Sequence, residues 1–351
     1  MKLKKIVVAL ALVLPVTGVM ACASCGCSLN TDIGTQGMGS SEGWTFDLRY
    51  DTLNQNKLMY GTKGISPSTA VNVINPATRS PAEVEGFTQN NYVTGSLDYN
   101  DGESWGVTAV LPYILRTHMT YGAASDDVPG WPTGQAGYTS QASGFGDIKI
   151  IGRYFGMAEQ KDWGVQFGVK LPTGNNSQTT MGNNGYLVSV DPGLQLGTGS
   201  TDLIAGIYKF GFIPKTEDWG YFANAQYQAT VKPTNIPGVI SATNIANGSY
   251  TGNSYRPGNA LNVNIGVNYQ GWEKWVPTLQ LNAINKAADS GTAADTWATG
   301  GNLAYLTPGL LYRFNEKTQI YANVQLPVYQ NVNGIQLVPS YIASMGVRVH
   351  F

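Results

Sequence analysis

Apolar and polar residues alternate with a period of two over most of the chain from Trp44 onward. This alternation is typical of β-strands whose two faces meet different environments. In the first segment, apolar positions 44, 46, 48 and 50 alternate with polar positions 45, 47, 49 and 51. The pattern predicts twelve strands, and the register of the sixth stays open because its apolar residues fall on both phases. Their approximate bounds are 44–51, 92–99, 105–113, 147–154, 163–171, 201–213, 219–228, 261–269, 275–284, 303–314, 318–329 and 341–351.

The connections between these strands alternate between short and long. The short turns lie at 100–103, 157–162, 214–218, 270–274 and 315–317, and the long loops at about 51–87, 117–145, 174–200, 231–258, 286–302 and 331–339. Bacterial outer-membrane barrels have this arrangement, with short turns in the periplasm, long loops outside and an even strand number. Residues 44–351 are therefore predicted to form an all-β fold, a closed transmembrane antiparallel β-barrel of about 12 strands with both termini periplasmic. A soluble β-sandwich or β-solenoid also alternates, but it would direct charges, not Trp, Val, Leu and Ala, toward solvent.

Five tryptophans recur every 56 to 61 residues, each at the start of an upward strand. They are Trp44, Trp105, Trp163, Trp219 and Trp275. Aromatic residues are enriched where a barrel meets the membrane–water interface. The repeat therefore predicts an aromatic girdle at the inner interface.

The first residues have the features of an export signal. A basic start at 1–5 precedes an apolar run at 6–19 that is too short for a stable transmembrane helix, and Ala21-Cys22-Ala23 offers a small-residue cleavage site. We expect a signal peptide at 1–23 and a periplasmic segment at 24–43. A rival cut leaves Cys22 first, because Val19-Met20-Ala21-Cys22 loosely resembles the sequence at which bacterial lipoproteins are acylated. After residue 19, no apolar run is long enough for a membrane-spanning helix.

The composition and net charge argue against nucleic-acid binding. Only 12% of the residues are charged, against about 25% in an ordinary soluble domain. With 21 Lys and Arg against 22 Asp and Glu, the net charge is −1, so no basic surface is indicated and nucleic-acid binding is not expected.

The polar phase of the strands is predicted to line the lumen. The charged candidates are Asp47, Arg49, Asp98, Asp147, Lys149, Arg153, Lys170, Arg313 and Arg348, and amide side chains such as Asn224, Gln226, Asn264 and Gln280 face them. Such a lining would hold polar solutes through many weak, replaceable hydrogen bonds. Alternatively, the charges neutralise one another in a plugged lumen.

Twelve strands set the width of the lumen. At about 4.8 Å between strands and a tilt of roughly 40°, the ring measures roughly 24 Å between backbones. This leaves at most a narrow pore for small solutes and excludes a multihaem cytochrome. Leu111-Pro112, Leu171-Pro172 and Leu326-Pro327 should mark bulges or strand ends, because Pro cannot donate to the ladder.

Two parts of the sequence resemble known proteins. The last strand, ending in Phe351, resembles the C-terminal strand of outer-membrane proteins, whose final aromatic residue is read by the barrel-assembly machinery. The segments Gly144–Ile148, Val169–Gly174 and Gly197–Asp202 resemble the core of the outer-membrane family named for the meta-pathway of phenol degradation. The resemblance implies uptake or passage of small, often hydrophobic or aromatic molecules.

The cysteines and histidines give no catalytic or metal site. Cys22, Cys25 and Cys27 precede the barrel, and disulfide formation or redox contact, acylation at Cys22, or no special function stay open. His118 and His350 lie too far apart along the barrel to share a site. We therefore expect a non-enzyme without a cofactor or metal, whose partners are outer-membrane lipid, the assembly machinery and a small solute.

The sequence favours an outer-membrane channel for passive passage of small solutes. The alternative is a non-conducting barrel that anchors a periplasmic or surface partner through its Cys-bearing N-terminus or its loops. The oligomeric state stays open.

The fate of the N-terminus can be read from the intact mass of the mature protein purified from membranes. We expect a chain beginning at Ser24, lighter by two hydrogens where Cys25 and Cys27 are joined. A mass that places Cys22 first and adds acyl chains would contradict the cleavage after Ala23.

Overall fold

The computed structural model describes residues 42–77, 79, 81–123, 137–182, 187–236 and 253–351. The predicted signal peptide and Cys22, Cys25 and Cys27 lie outside these residues. Within the described part of the chain, no helix is both long and apolar enough to cross a membrane.

The described chain is almost entirely β-structure. Its strands are β1 Gly43–Gly61, β2 Lys63–Gly64, β3 Glu83–Asn100, β4 Trp105–Ala123, β5 Tyr138–Phe145, β6 Ile148–Tyr154, β7 Trp163–Leu171, β8 Thr179–Met181, β9 Leu187–Ser189, β10 Thr201–Phe212, β11 Trp219–Lys232, β12 Thr234–Ile236, β13 Asn253–Tyr255, β14 Ala260–Tyr269, β15 Trp275–Lys286, β16 Gly301–Arg313 and β17 Thr318–His350. One short helix, α1, covers Pro67–Ala70, and a single 3-10 turn covers Pro192–Leu194.

Eleven of these strands close a ring by antiparallel pairing. Their order is β1, β3, β4, β6, β7, β10, β11, β14, β15, β16 and β17, and β17 pairs with β1 to complete the ring. At the seam, the Trp44 N–H donates to the Phe351 carbonyl over 3.0 Å and the Phe351 N–H donates to the Trp44 carbonyl over 2.9 Å. Off the ring, β2 pairs with β1 and β5 pairs with β4. The predicted all-β, closed antiparallel barrel is confirmed.

The ring contains eleven strands where the sequence predicts twelve, and β17 accounts for the difference. Residues 319–332 of this 33-residue strand pair with β16, whereas residues from 332 to 350 pair with β1. Between the two parts, Gly334 has a φ of +46°. Such left-handed backbone favours Gly at a reversal of the chain.

The two faces of each strand differ as the alternation predicts. Asp47, Arg49 and Asp51 are buried, whereas Phe46 and Leu48 on the opposite face are exposed by 40% and 41%. Pairing with β7 and β11 also fixes the register of β10, the strand that the sequence left open. There Asp202, Ile204 and Tyr208 are buried, and the alternate positions 203, 205 and 207 are exposed. The outer surface of the ring is therefore apolar and the inner surface largely polar.

Several strands run further at the long-loop end than the sequence predicts. β1 continues to Gly61, β3 begins at Glu83, and the predicted loop at 331–339 lies within β17. Near the ends of these strands both faces carry polar residues, as in Asn54-Gln55-Asn56. The period-two contrast is lost there although the backbone pairing continues.

The Leu-Pro pairs mark irregular or terminal positions, as expected. β7 ends at Leu171, and the pairing register shifts between Ala304 and Tyr305, where Tyr305 faces Pro327. Beside Pro112, the wall is interrupted between β5 and β6, and the Gly146 N–H donates to the Pro112 carbonyl over 2.9 Å.

The β3–β4 turn is held by one carboxylate. Asp101 Oδ1 accepts the backbone N–H groups of Glu103, Ser104 and Trp105 at 2.9, 2.8 and 2.9 Å. These bonds fix the start of β4 and the position of Trp105.

Replacing this carboxylate should loosen the turn. We expect Asp101→Ala to lower the free energy of unfolding by about 1 kcal/mol, because three backbone donors lose their acceptor. Denaturant unfolding in detergent micelles measures the change. Glu103→Ala in the same turn serves as the control, with a change below about 0.5 kcal/mol. Equal effects of the two variants would contradict the conclusion that the Asp101 carboxylate holds the turn.

Candidate functional site: the lumen of the barrel

Most of the predicted lumen charges are buried and paired with one another. Arg49 Nε lies 2.8 Å from Asp51 Oδ2, and Arg348 Nη2 lies 3.1 Å from Asp47 Oδ2. Arg153 donates from both terminal nitrogens to Asp98, over 2.5 and 2.9 Å. Lys149 is half-buried and faces Lys170 across β6 and β7. The opposite charges in each of these three pairs, Arg49–Asp51, Arg348–Asp47 and Arg153–Asp98, therefore neutralise each other.

Arg313 lies at the short-turn end, away from the buried pairs. Its guanidinium donates to the Gln270 Oε1 over 3.1 Å and to the Glu273 carbonyl over 3.3 Å. The structure thus places it at the β14–β15 turn.

The ammonium of Lys170 is surrounded by several polar partners in the described part of the lumen. Its ammonium lies 2.8 Å from Asp147 Oδ2 and 3.4 Å from Asp202 Oδ2. It also donates to the Ser200 carbonyl over 2.9 Å and to the Thr198 hydroxyl. We call Asp147, Lys170, Thr198, Ser200 and Asp202 the lysine cluster. Because every member is buried or nearly so, the cluster is screened little by solvent.

The three segments that resemble the meta-pathway family meet at this cluster. Asp147 belongs to the first, Lys170 to the second, and Thr198 and Asp202 to the third. Asp147 Oδ1 accepts the Gly174 N–H over 3.0 Å, and its Oδ2 accepts the Thr198 N–H over 3.0 Å. The segments thus fasten both ends of the 172–200 connection to the barrel wall.

Two glycines let the ends of this connection approach each other. A Cβ on Gly174 would stand 2.7 Å from the Gly197 Cα, and a Cβ on Gly197 would stand 2.5 Å from the Gly174 carbonyl oxygen. Both separations are shorter than real Cβ contacts. Any larger residue would separate the two ends.

Part of the connection turns into the lumen, whereas Thr179 and Met181 are exposed. Leu194 and Leu196 are buried, and Leu196 belongs to a continuous apolar cluster inside the barrel. We call this the apolar cluster; its members are Leu53, Met59, Tyr92, Ile114, Ala142, Leu196, Ile284, Leu303, Tyr305, Val332, Val338 and Ile342. It links the connection to β1, β3, β4, β5, β15, β16 and β17. An apolar zone therefore interrupts the polar lining.

Arg116 is a lumen residue that the sequence interpretation missed. It is buried, donates from Nη1 to the Gln195 carbonyl over 3.0 Å and from Nη2 to the Tyr92 hydroxyl over 3.2 Å. Its Nε donates to Asn90 Oδ1 over 2.5 Å. The predicted strand stopped before this position; extending the alternation from Trp105 would have placed Arg116 on the inner face.

The amide side chains form a separate inner surface on β14, β15 and β17. Asn264, Gln280, Asn282, Asn323 and Gln325 are all buried. Asn282 donates to the Thr307 hydroxyl over 2.8 Å, but each of the five carries an amide oxygen with no hydrogen-bond partner among the described residues. Elsewhere in the wall, Gln166 Oε1 accepts from Asn224 and Gln226 over 3.2 and 3.3 Å.

A vestibule bordered by five carboxyl side chains lies at the long-loop end. Glu83, Glu85, Asp191, Asp289 and Asp295 border a space of about 590 Å³. Burial raises the pKa of Asp191 above its usual range, the hydrogen bond from Tyr138 opposes this shift, and Asp295 adds to it. The raised pKa favours the neutral form of Asp191, and Lys286 lies 2.9 Å from Asp289, so the vestibule carries less negative charge than its carboxyl groups suggest.

The histidines occupy separate positions. His118 is fully buried with its Nδ1 2.8 Å from the Thr88 hydroxyl, and His350 Nδ1 lies 3.1 Å from the Thr45 hydroxyl at the seam. Among the described residues, no three His, Cys, Asp or Glu side chains are arranged to hold a metal ion.

No protein-family model and no curated protein matches the sequence. Among solved structures, an outer-membrane channel from Pseudomonas putida F1 matches with a TM-score of 0.62 and 12% identity, over 91% of this chain and 99% of that one. The chain has the fold of an outer-membrane β-barrel. The Ralstonia pickettii toluene transporter TbuX matches with a TM-score of 0.47 and 13% identity, over 94% and 97% of the two chains.

The prediction of an outer-membrane β-barrel is thus confirmed at the level of the fold. Membership of the meta-pathway family is not confirmed, because no family model matches. What the match establishes is the architecture, since 12% identity is too low to transfer an activity.

The five repeated tryptophans lie at or next to the starts of strands. Trp105, Trp163, Trp219 and Trp275 are the first residues of β4, β7, β11 and β15, and Trp44 is the second of β1. Trp44 and Trp105 both contact Tyr99, with ring centroids 4.9 and 5.3 Å apart. Except for Trp163, which is half-buried, they are exposed at the short-turn end of the barrel. This is the position expected of an interfacial girdle.

Removing the ammonium of Lys170 should release the 172–200 connection of the barrel. We expect Lys170→Met to lower the free energy of unfolding by about 3–5 kcal/mol, because Asp147 and Asp202 stay buried without their cation. Denaturant unfolding in micelles measures this loss. Lys209→Met is the matched control: Lys209 is exposed where it pairs with Asp162, so its loss should leave the unfolding midpoint nearly unchanged. A loss for Lys170→Met no larger than the control's would show that the lysine cluster does not hold the connection.

Proposed function

We propose that the protein is an outer-membrane channel for passive passage of small solutes. The observation that carries the proposal is the lumen itself, which has a polar wall on several strands, a charged vestibule at one end and one apolar zone that includes Leu196. A wholly structural barrel does not require buried amides with unpaired oxygens. The Pseudomonas putida protein of the same fold is an outer-membrane channel.

The proposed orientation places the short turns and both termini in the periplasm. The tryptophans at the short-turn end and the longer connections at the other end support it. We also propose twelve membrane crossings, with β17 counted as two, because its halves pair with different neighbours around Gly334.

The proposed solutes are small because Leu194 and Leu196 of the 172–200 connection are buried within the lumen. Small aromatic or hydrophobic compounds are included, since Tyr92 and Tyr305 offer ring surfaces within the apolar cluster. The meeting of the three sequence segments at the lysine cluster supports membership of the meta-pathway family as a further part of this proposal.

Two observations favour the alternative of a non-conducting barrel that anchors a partner. Three predicted charge pairs are closed, and Leu196 packs against residues from several strands. In that case the Cys-bearing N-terminus or the loops would hold a periplasmic or surface partner.

Solute flux through liposomes containing the purified barrel separates the two functions. We expect slow swelling in small sugars and aromatic alcohols with the native protein. Leu196→Ala should swell several-fold faster, because it removes bulk from the apolar zone without touching the lysine cluster.

Leu203→Ala is the control for this measurement, since Leu203 faces outward and is 53% exposed. It should leave the rate unchanged. If neither the native protein nor Leu196→Ala admits any small solute or ion, the channel proposal is wrong and the anchoring function gains support.

A further inference from the structure

Residues 190–196 of the connection between β7 and β10 lie between the vestibule and the interior of the barrel. We call them the inward segment. On one side, Asp191 and Gly193 border the vestibule. On the other side, Leu196 belongs to the apolar cluster, and Leu194 is 1% exposed. The inward segment therefore separates the vestibule from the apolar cluster.

The inward segment is braced by its own hydrogen bonds. The buried Gln195 donates from Nε2 to the carbonyls of Val190 and Gln178 over 2.7 and 3.1 Å, and its Oε1 accepts the Gln178 N–H over 2.8 Å. The Leu194 N–H donates to the Asp191 carbonyl over 2.8 Å. None of these bonds involves the barrel wall, so the segment can leave the wall as one unit.

Arg116 on β4 fastens the inward segment to the wall. Its Nη1 donates to the Gln195 carbonyl over 3.0 Å and to the Gly193 carbonyl over 3.4 Å. On the wall side, the same guanidinium donates to Asn90 Oδ1 and to the Tyr92 hydroxyl. Each of these acceptors is neutral. The middle of the connection is therefore held by hydrogen bonds to a cation and not by an ion pair.

The ends of the connection are held in a different way. There Lys170 lies between the buried carboxylates of Asp147 and Asp202, and separating them would leave buried charges unpaired. Releasing the inward segment from Arg116 leaves no carboxylate unpaired, because the two freed carbonyls can accept from water and the guanidinium keeps its two acceptors on β3. The middle of the connection is therefore easier to release than its ends.

Two glycines lie between the inward segment and the nearer fixed end. Gly197 and Gly199 stand between Leu196 and Ser200, which belongs to the lysine cluster, and Gly199 has a φ of +66°. Hinges are short stretches that absorb changes in φ and ψ, and glycine does so at little steric cost. The backbone therefore offers a hinge beside the lysine cluster.

We infer that the inward segment is a lid on the lumen, which opens by release from Arg116 while the lysine cluster keeps the ends of the connection in place. In the closed form, Leu196 fills part of the apolar cluster. In the open form, the carbonyls of Gly193 and Gln195 accept from water and the vestibule joins the interior. The inference rests on the proposed channel function, since a lid controls passage only through a channel.

Amide hydrogen exchange tests the release directly in the full-length protein in detergent micelles. A short turn exposed to water protects its amides little, so exchange at Val190 and Leu194, followed by NMR, reports opening of the lid. Arg116→Met should speed both exchange rates roughly tenfold, because the segment loses two hydrogen bonds to a cation. The Gly174 and Thr198 amides, which the lysine cluster holds, should exchange at their native rates.

Arg256→Met is the matched control. Arg256 also donates to a backbone carbonyl, that of Thr230, but it is exposed and does not contact the inward segment. It should leave all four exchange rates unchanged. Arg116→Met should also cost less stability to denaturant than Lys170→Met, because it leaves no buried carboxylate unpaired. Equal acceleration of all four amides by Arg116→Met would indicate general unfolding and would overturn the inference.

A second variant weakens the lid without removing a charge. The Tyr138 hydroxyl on β5 donates to Asp191 Oδ2 over 2.6 Å. Tyr138→Phe keeps the shape of the ring and all the hydrogen bonds of Arg116. It should speed exchange at Val190 and Leu194 in the same direction as Arg116→Met, but by a smaller factor. If neither variant speeds exchange at these two amides, the inference is wrong.

Liposome swelling in ribose separates the lid from the channel function. Arg116→Met should swell several-fold faster than the native protein, and Arg256→Met should swell at the native rate. If the native protein and Leu196→Ala admit ribose but Arg116→Met is no faster than the native protein, the lid is refuted and the channel stands. If ribose enters with none of these proteins, the channel proposal fails and the lid fails with it, whatever the exchange rates.

Discussion

Lys170 imposes the constraint on which the interior of the barrel depends. A buried ammonium is tolerable only where carboxylates and hydrogen-bond acceptors surround it. Asp147 directly precedes β6 and Asp202 lies on β10, the two strands that flank β7, and Thr198 and Ser200 come from the connection between β7 and β10. Satisfying one cation therefore forces the 172–200 connection back toward the wall. Leu196 enters the lumen as a consequence, and the apolar cluster forms around it.

The pairing of the inward-facing polar side chains therefore differs from one side of the ring to the other. On β1, β3 and β6, carboxylates and guanidinium groups satisfy one another, so that side of the lumen is rigid and closed to further partners. On β14 and β15, the amides are buried but incompletely paired. A paired wall holds the architecture, whereas an unpaired wall retains capacity for exchange with a solute.

The architecture and the orientation of side chains followed from the sequence because membrane strands have a strict two-residue period. Asp47 and Arg49 alternate with Phe46 and Leu48, and the structure buries the first two and exposes the other two. The alternation does not reveal a strand where both of its faces are polar. The sequence therefore predicts strands that end too early, and Arg116 falls outside them. Leu196 could not be recognised as a lumen residue, because its position follows from contacts between strands far apart in sequence. The unpaired amide of Gln280 could not be predicted either, because hydrogen bonding depends on side-chain distances that no local sequence pattern encodes.

The seam between Trp44 and Phe351 has a consequence for the way this barrel is made. Thr45 and His350, which meet there, are 305 positions apart. Until the last strand arrives, β1 and the growing sheet each present an unpaired edge, and such edges invite association with other chains. A pairing so distant in sequence is intrinsically slow to form. A chain lacking the part of β17 that pairs with β1 would therefore remain a sheet with two unpaired edges, however well its other strands were paired.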